Sequence, residues 1–192
     1  MQNASTGRFA RIAAIGLTAL LAACSPPQPL NFSVQNVQPS PVKLDADLRT
    51  ITVTPAAPNE RTGDLPPAVA GITSTWKEAT QEALSRSALF NDDSRRHVNL
   101  EVKVLKFENP PMGITFPTDT DASYTLIDRQ DGSIIFRKVI SAQGTTPMDF
   151  AMVGAVRARE SINRSAQNNI AGFLRALETS QIATYRASKP IS

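Results

Sequence analysis

Apolar residues recur along this chain in three rhythms, and each rhythm predicts a different kind of element. Between 67 and 90, Val69, Ile72, Trp76, Ala79, Ala83, Ser87 and Phe90 fall at three- and four-residue steps, with Leu84 beside them. Glu78, Gln81 and Glu82 lie off that stripe, so the spacing predicts an amphipathic helix that opens near Pro67 and stops at Asn91-Asp92-Asp93. Trp76 sits on the stripe and is expected in the core rather than as a binding platform. A second stripe, Ile162, Ala166, Ile170, Phe173 and Leu177 with Leu174 at its edge, predicts a longer helix over 155–179.

The second rhythm has period two. Val98, Leu100, Val102 and Val104 alternate with Asn99, Glu101 and Lys103, which predicts a half-buried strand. Its phase slips at Leu105 and Phe107, as a β-bulge would require. Residues 48–54 are rich in β-favouring Thr50, Ile51, Thr52 and Val53, and Pro55 and Pro58 end them. Segments 122–128 and 133–141 form a hairpin through Arg129-Gln130-Asp131-Gly132, with Gly132 supplying positive φ. Ile135 and Val139 make the outer face of the last strand partly apolar, which predicts that something covers it. The order β-α-β-β-β-α predicts an α+β fold, a four-stranded, mostly antiparallel sheet with two amphipathic helices on one face.

The third rhythm is a continuous apolar run, Ile12 to Ala23, behind the positive charges of Arg8 and Arg11 and ending in Leu21-Ala22-Ala23-Cys24. It is too short to cross a bilayer, which takes about 20 apolar residues. The stretch resembles a bacterial lipoprotein signal peptide. That resemblance implies that Cys24, the sole cysteine, is alkylated by diacylglycerol, becomes the new N-terminus on cleavage and takes an N-acyl chain. Residues 1–23 are then removed, 24–47 are a lipidated, proline-rich spacer, 48–179 are the folded α/β domain and 180–192 are a loose tail. Nine of the fourteen prolines precede residue 70, which places the folded part late in the chain. Asn31 to Gln35 alternates as a short edge strand would.

Cleavage changes the charge picture. With Arg8 and Arg11 gone and no acid lost, eighteen basic residues face seventeen acidic ones, a net of +1. That balance, without a basic stripe or aromatic support, does not point to nucleic acid. With one acylated cysteine no disulfide is expected, so the core must hold unaided.

Chemistry-bearing patterns are thin. His97 is the sole histidine and has no thiol partner, and one histidine does not build a metal site of the His- or Cys-rich kind. Asp92-Asp93 and Asp119/Asp121 are close acidic pairs without the ligand spacing of a calcium loop, and are expected in turns and caps. Neither a nucleophile-elbow motif nor a glycine-rich phosphate loop occurs. No enzyme, no metal and no cofactor beyond the lipid on Cys24 is expected.

Three stretches carry a wider resemblance: Trp76…Ala83-Leu84…Ser87…Leu89-Phe90; Tyr124…Leu126…Asp128…Gly132…Ile140…Ala142…Gly144; and Arg157…Arg159-Glu160…Asn168-Asn169-Ile170…Phe173-Leu174…Leu177. Over 48–178 the chain resembles small α/β bacterial envelope lipoproteins of the YajG type and the auxiliary lipoproteins of ABC-type lipid-transport systems. Its element order is also similar to that of the lipoprotein that plugs the lipopolysaccharide-export barrel. The resemblance implies fold and compartment, and brings no catalytic set.

Function is therefore expected through binding. Two loops carry apolar residues between prolines, and Met112, Ile114, Phe116, Met148 and Phe150 are expected to gather at one end of the sheet, either as a docking patch for an envelope protein or folded back as a cover over the open sheet face. Arg157, Arg164 and Arg175 are expected together on the polar face of the second helix, where they could meet anionic lipid headgroups. Ser25 after the cysteine, rather than Asp, implies the outer membrane, with the domain facing the periplasm. The expected role is a lipid-anchored accessory or adaptor protein. The alternative is an auxiliary component of an ABC-type lipid-transport system that handles phospholipid.

Overall fold

The period-two pattern builds the sheet, and the two helical stripes cover one face of it. The computed structural model describes residues 29–109, 115–180, 182, 184 and 185. In chain order the elements are β1 (Lys43–Leu44), β2 (Asp47–Pro55), α1 (Val69–Ser87), β3 (His97–Glu108), β4 (Phe116–Asp128), β5 (Ile134–Thr146), a 3₁₀ turn (Met148–Phe150), α2 (Gly154–Glu178) and β6 (Thr184–Tyr185). The main sheet has the order β2-β3-β4-β5. β2 runs parallel to β3, while β3–β4 and β4–β5 are antiparallel. The fold is α+β with a four-stranded, mostly antiparallel sheet, and β1 and β6 make a separate two-stranded ribbon.

Strand direction gives the molecule two ends. The hairpin end holds the starts of β2 and β3, the Arg129–Gly132 turn and the C-termini of both helices. Ser40 and Leu44 donate there to the carbonyls of Ser87 and Leu89, just past α1, and Gly132 takes φ +74 in the turn. The loop end holds the end of β3, the start of β4, the end of β5 and the N-termini of both helices. There the Phe107 amide donates to the carbonyl of Asp64, on the approach to α1.

The core lies between sheet and helices. Val98, Leu100, Val102 and Val104 of β3 and Ala122, Tyr124 and Leu126 of β4 face Trp76 of α1 and Ile170, Phe173 and Leu177 of α2, all essentially inaccessible. The register of β3 against β4 shifts between Val104 and Lys106, the bulge that the phase slip predicts. Because of it Phe107 returns to the inner face, where its ring meets Phe32 and Trp76.

The structure departs from the sequence reading in five places. Of the spacer expected over 24–47, the part from Phe32 onward belongs to the folded body. Phe32, Val34, Leu44 and Ala46 are buried, and Phe32 packs edge-on against Trp76 with ring centroids 5.9 Å apart. Residues 1–28, with Cys24, lie outside the described residues. β4 begins at Phe116 and β5 runs on to Thr146, so Asp119 and Asp121 are strand residues rather than turn residues. Asp119 accepts from Gln143 at 2.9 Å and Asp121 from Thr62 at 2.6 Å. α1 stops at Ser87, before Asn91, because Ala88 turns into the left-handed region at φ 48. Finally, Val139 remains half exposed, while Ile135 is partly buried against the core rather than on an outer face that something covers. The tail also begins bound: Ile182 is buried and β6 pairs with β1, while residues 186–192 lie outside the description.

Gly144 sets how closely α2 sits on the sheet. A Cβ there would overlap backbone atoms of Ser161 and Ser165, which have no side-chain freedom with which to yield. Gly144→Ala is expected to cost about 1–3 kcal/mol by overpacking. Gly71→Ala, a position in α1 with open space around it, should be neutral or stabilising by up to about 1 kcal/mol. Urea unfolding of both variants checks the contrast, and equal midpoints would contradict it.

Candidate functional site

Two surfaces stand out, one at each end, joined through the interior by a buried polar ladder. The ladder follows from the sequence of α2. Residues 157, 161, 165 and 169 lie four apart and so share one helix face. They are Arg157, Ser161, Ser165 and Asn169, and all four are buried against β4 and β5. Opposite them, the inner face of β4 offers Thr118, Thr120 and Tyr124.

The rungs at Ser161, Ser165 and Asn169 are each satisfied. Thr118 and Ser161 share a hydrogen bond of 2.7 Å, and Asn109 Nδ2 donates to both hydroxyls. Thr120 and Ser165 pair at 2.9 Å. Asn169 Nδ2 donates to the Ile140 carbonyl at 2.8 Å and the Thr120 carbonyl at 3.2 Å, and its Oδ1 accepts from the Tyr124 hydroxyl at 3.0 Å. Trp76 Nε1 donates to the same hydroxyl at 3.1 Å. The Tyr124 ring also stacks on Phe173, 4.0 Å between centroids. Small side chains plus Gly144 let helix and strands approach closely enough for these bonds to form.

At the loop end the ladder terminates in Arg157. Its guanidinium donates to the carbonyls of Ala151 at 2.5 Å and Met152 at 3.2 Å, and lies 5.5 Å from the centre of the Phe116 ring. Nε of Arg157 has no partner among the described residues. Arg164 donates to Glu160 at 2.7 Å and to the Thr145 carbonyl at 3.1 Å, and sits over Phe150. These two arginines brace the 148–153 loop from behind.

The expected arginine face is thus not formed. Arg157 is buried by its carbonyl partners, Arg164 is half-buried in its ion pair, and only Arg175 is exposed, on the last turn of α2. The expected docking patch is partly assembled. Phe116 is buried beneath Arg157, whereas Met148 and Phe150 are exposed. Met112 and Ile114 lie outside the described residues. Met152, Val153 and Val156 extend the patch, with Met152 97% exposed. The helical stripe does not reveal them, because they precede α2 or occupy its first turn.

The second surface is at the hairpin end, where a cleft of about 530 Å³ runs between β2 and α1. Leu48, Arg49, Thr50 and Ile51 all line it. The register of β2 against β3 shifts between Leu48 and Thr50, and such a bulge at Arg49 breaks the alternation so that consecutive side chains border one groove. β2 is an outer strand of the sheet, and among the described residues nothing pairs with its free edge. Lys43 and Lys77 line the cleft without an ion-pair partner among the described residues. Arg49 is held by Asp47 at 2.5 Å and donates to His97 Nδ1 at 3.2 Å. Arg49 also borders a neighbouring cationic hollow with Arg95, His97 and Arg129. Sequence pattern alone does not find this cleft, since its cations are 34 residues apart in the chain and meet only through β1 and α1. Among the described residues no group of three or more His, Cys, Asp or Glu could hold a metal ion, and no helix is long and apolar enough to cross a membrane.

Burial pushes the Tyr124 phenol far above its usual range, against a smaller lowering from the Trp76 hydrogen bond. Below about pH 10 folded and unfolded chains both keep this proton, and its contribution to stability is fully present. Above about pH 10 only the unfolded chain releases it, so stability should fall by up to about 1.4 kcal/mol per pH unit. The stability gap between the wild type and Tyr124→Phe is therefore expected to narrow as pH rises past about 10. Urea unfolding across that range measures it, and a pH-independent gap would contradict the assignment.

No protein-family model matches the chain, and no curated protein matches it in sequence. Several solved structures are similar in outline. Protein XCC0632 from Xanthomonas campestris is 11% identical, with 78% of this chain and 93% of that chain covered and a TM-score of 0.49. A putative lipoprotein from Caulobacter crescentus is 14% identical, covering 67% and 88% with a TM-score of 0.43. PelC from Paraburkholderia phytofirmans is 14% identical, covering 75% and 95% with a TM-score of 0.44.

Proposed function

We propose that this chain is a lipid-anchored accessory protein of the bacterial envelope that works by binding a partner chain. The anchor rests on Leu21-Ala22-Ala23-Cys24 behind a short apolar run, and Ser25 favours the outer membrane with the domain in the periplasm. The observation that carries the binding role is the free edge of β2 beside the Lys43–Lys77 cleft. An unpaired strand edge presents N–H and C=O groups in strand register, which an extended segment of another protein satisfies by adding a strand. The unpaired Lys43 and Lys77 favour a segment that carries acidic residues, and Leu48, Ile51 and Phe90 give its apolar side chains a place to sit. A shallow groove of this kind gains specificity from side-chain pockets and affinity from the backbone.

The alternative, an auxiliary role in lipid transport, keeps the sequence resemblance over 48–178 but loses the arginine face, which α2 does not present.

The test is photo-crosslinking of the full-length protein in its own cells, with the crosslinker at Thr50, alongside labelling by a clickable fatty acid. A fatty-acid label lost in Cys24→Ala is expected. A discrete crosslinked partner is expected from position 50, weakened severalfold by Lys43→Glu with Lys77→Glu at unchanged thermal stability. Absence of the fatty-acid label would remove the anchor. A labelled protein with no crosslink at 50 above the Cys24→Ala control would remove the strand-edge role.

A further inference from the structure

We infer that the exposed apolar loop at the loop end, Met148 to Val156, is a bilayer-contact surface that presses into the membrane carrying the Cys24 anchor. The inference rests on the acylation of Cys24 proposed above, and on where the chain enters the folded body. Leu30 lines a hollow at the loop end together with Asn109 and Ile162. Asn31 is clamped to α2 there, its N–H donating to Asn163 Oδ1 at 3.0 Å and its carbonyl accepting from Gln167 at 3.0 Å. Only residues 25–28 separate the acylated position from Pro29.

Covalent geometry then limits the reach. From Cys24 to Leu30 the chain spans at most about 22 Å. The start of α2 lies eight residues before Ile162, so the loop projects about 12 Å beyond the level of Leu30. With the loop end facing the anchor, the gap left for anything between loop and bilayer is at most about 10 Å, thinner than a folded domain. In that orientation the bilayer that holds the anchor is the surface within that distance.

The composition of the loop suits this occupant. Residues 147–156 carry one ionisable side chain, Asp149. Met148, Phe150, Met152, Val153 and Val156 are all among the exposed large apolar residues of the structure. Backbone that enters the interfacial region needs its polar groups satisfied from within the protein. Arg157 does this for the Ala151 and Met152 carbonyls, from a position buried behind the loop. The acyl chains on Cys24 supply the anchor, and an apolar surface of this kind adds buried area and fixes the orientation on the bilayer. In this pose the β2 cleft, at the hairpin end, points away from the membrane.

The test uses the full-length protein acylated in cells and reconstituted into phosphatidylethanolamine–phosphatidylglycerol vesicles. Because Cys24 carries lipid, Met152→Cys supplies a single free thiol for an environment-sensitive fluorophore, and Gln130→Cys at the hairpin end supplies the control. A blue shift and quenching by lipids with a quencher in the upper acyl chain are expected at 152, with neither at 130. A label at 152 that stays in water while the protein floats with the vesicles would overturn the contact and leave the anchor standing. A label at 152 that is shielded but not lipid-quenched would overturn it in favour of a protein occupant. Failure to float, with no acyl mass on Cys24, would overturn both.

Discussion

The arrangement depends on one buried hydrogen-bonded junction, the Tyr124 hydroxyl between Trp76 and Asn169. It ties both helices to the central strand β4 through groups that have no access to water. A net hydrogen bond contributes only about 1 kcal/mol, but a buried polar group left unpaired costs about 1–3 kcal/mol. The junction therefore acts more by excluding alternatives than by adding stability. A helix α2 rotated or shifted by one residue would strand Asn169, Ser165 and Ser161 in the core. The register of α2 fixes Arg157 at the loop end, and Arg157 fixes the shape of the 148–153 loop. Interior chemistry thus determines which apolar side chains face outward.

A second constraint acts on the N-terminal segment. Phe32 fills the space between Trp76 and Phe107, and Leu44 and Ala46 are wholly buried. Burying side chains of this size contributes about 1.5–3 kcal/mol each, enough to hold a proline-rich strand against the body. Proline lowers the entropy lost on docking, so Pro39 and Pro41 suit a fixed segment as well as a free one. The consequence for the proposed anchor is short reach: an acyl group on Cys24 would hold the domain close to the bilayer.

Much of the fold is legible in the sequence, because both helices and β3 carry strong periodic stripes. The bulge at Leu105 and the turn at Gly132 are legible for the same reason, since each has a local cause. The first halves of β4 and the last turns of β5 are not. Their inward positions are Thr118, Thr120, Gly144 and Thr146, which alternate in polarity with nothing until the partners Ser161 and Ser165 are known. Arg157 is misplaced on a polar face by the same blindness, since a charged residue reads as solvated until the carbonyls that bury it are in view. Phe32 and Leu44 hide among prolines. Of the binding surface, Met148 and Phe150 stand out as apolar loop residues, while the β2 cleft needs three separate chain segments and no linear pattern marks it.

The central claim is that the chain from Leu30 onward belongs to the folded body, so that a lipid on Cys24 would hold the domain tightly. Amide hydrogen exchange of the full-length protein tests it most directly. The Ser40, Leu44 and Asp47 amides donate to Ser87, Leu89 and Arg96 and are predicted to exchange as slowly as those of β3. Exchange of residues 30–46 at the rate of an unstructured chain would contradict the account.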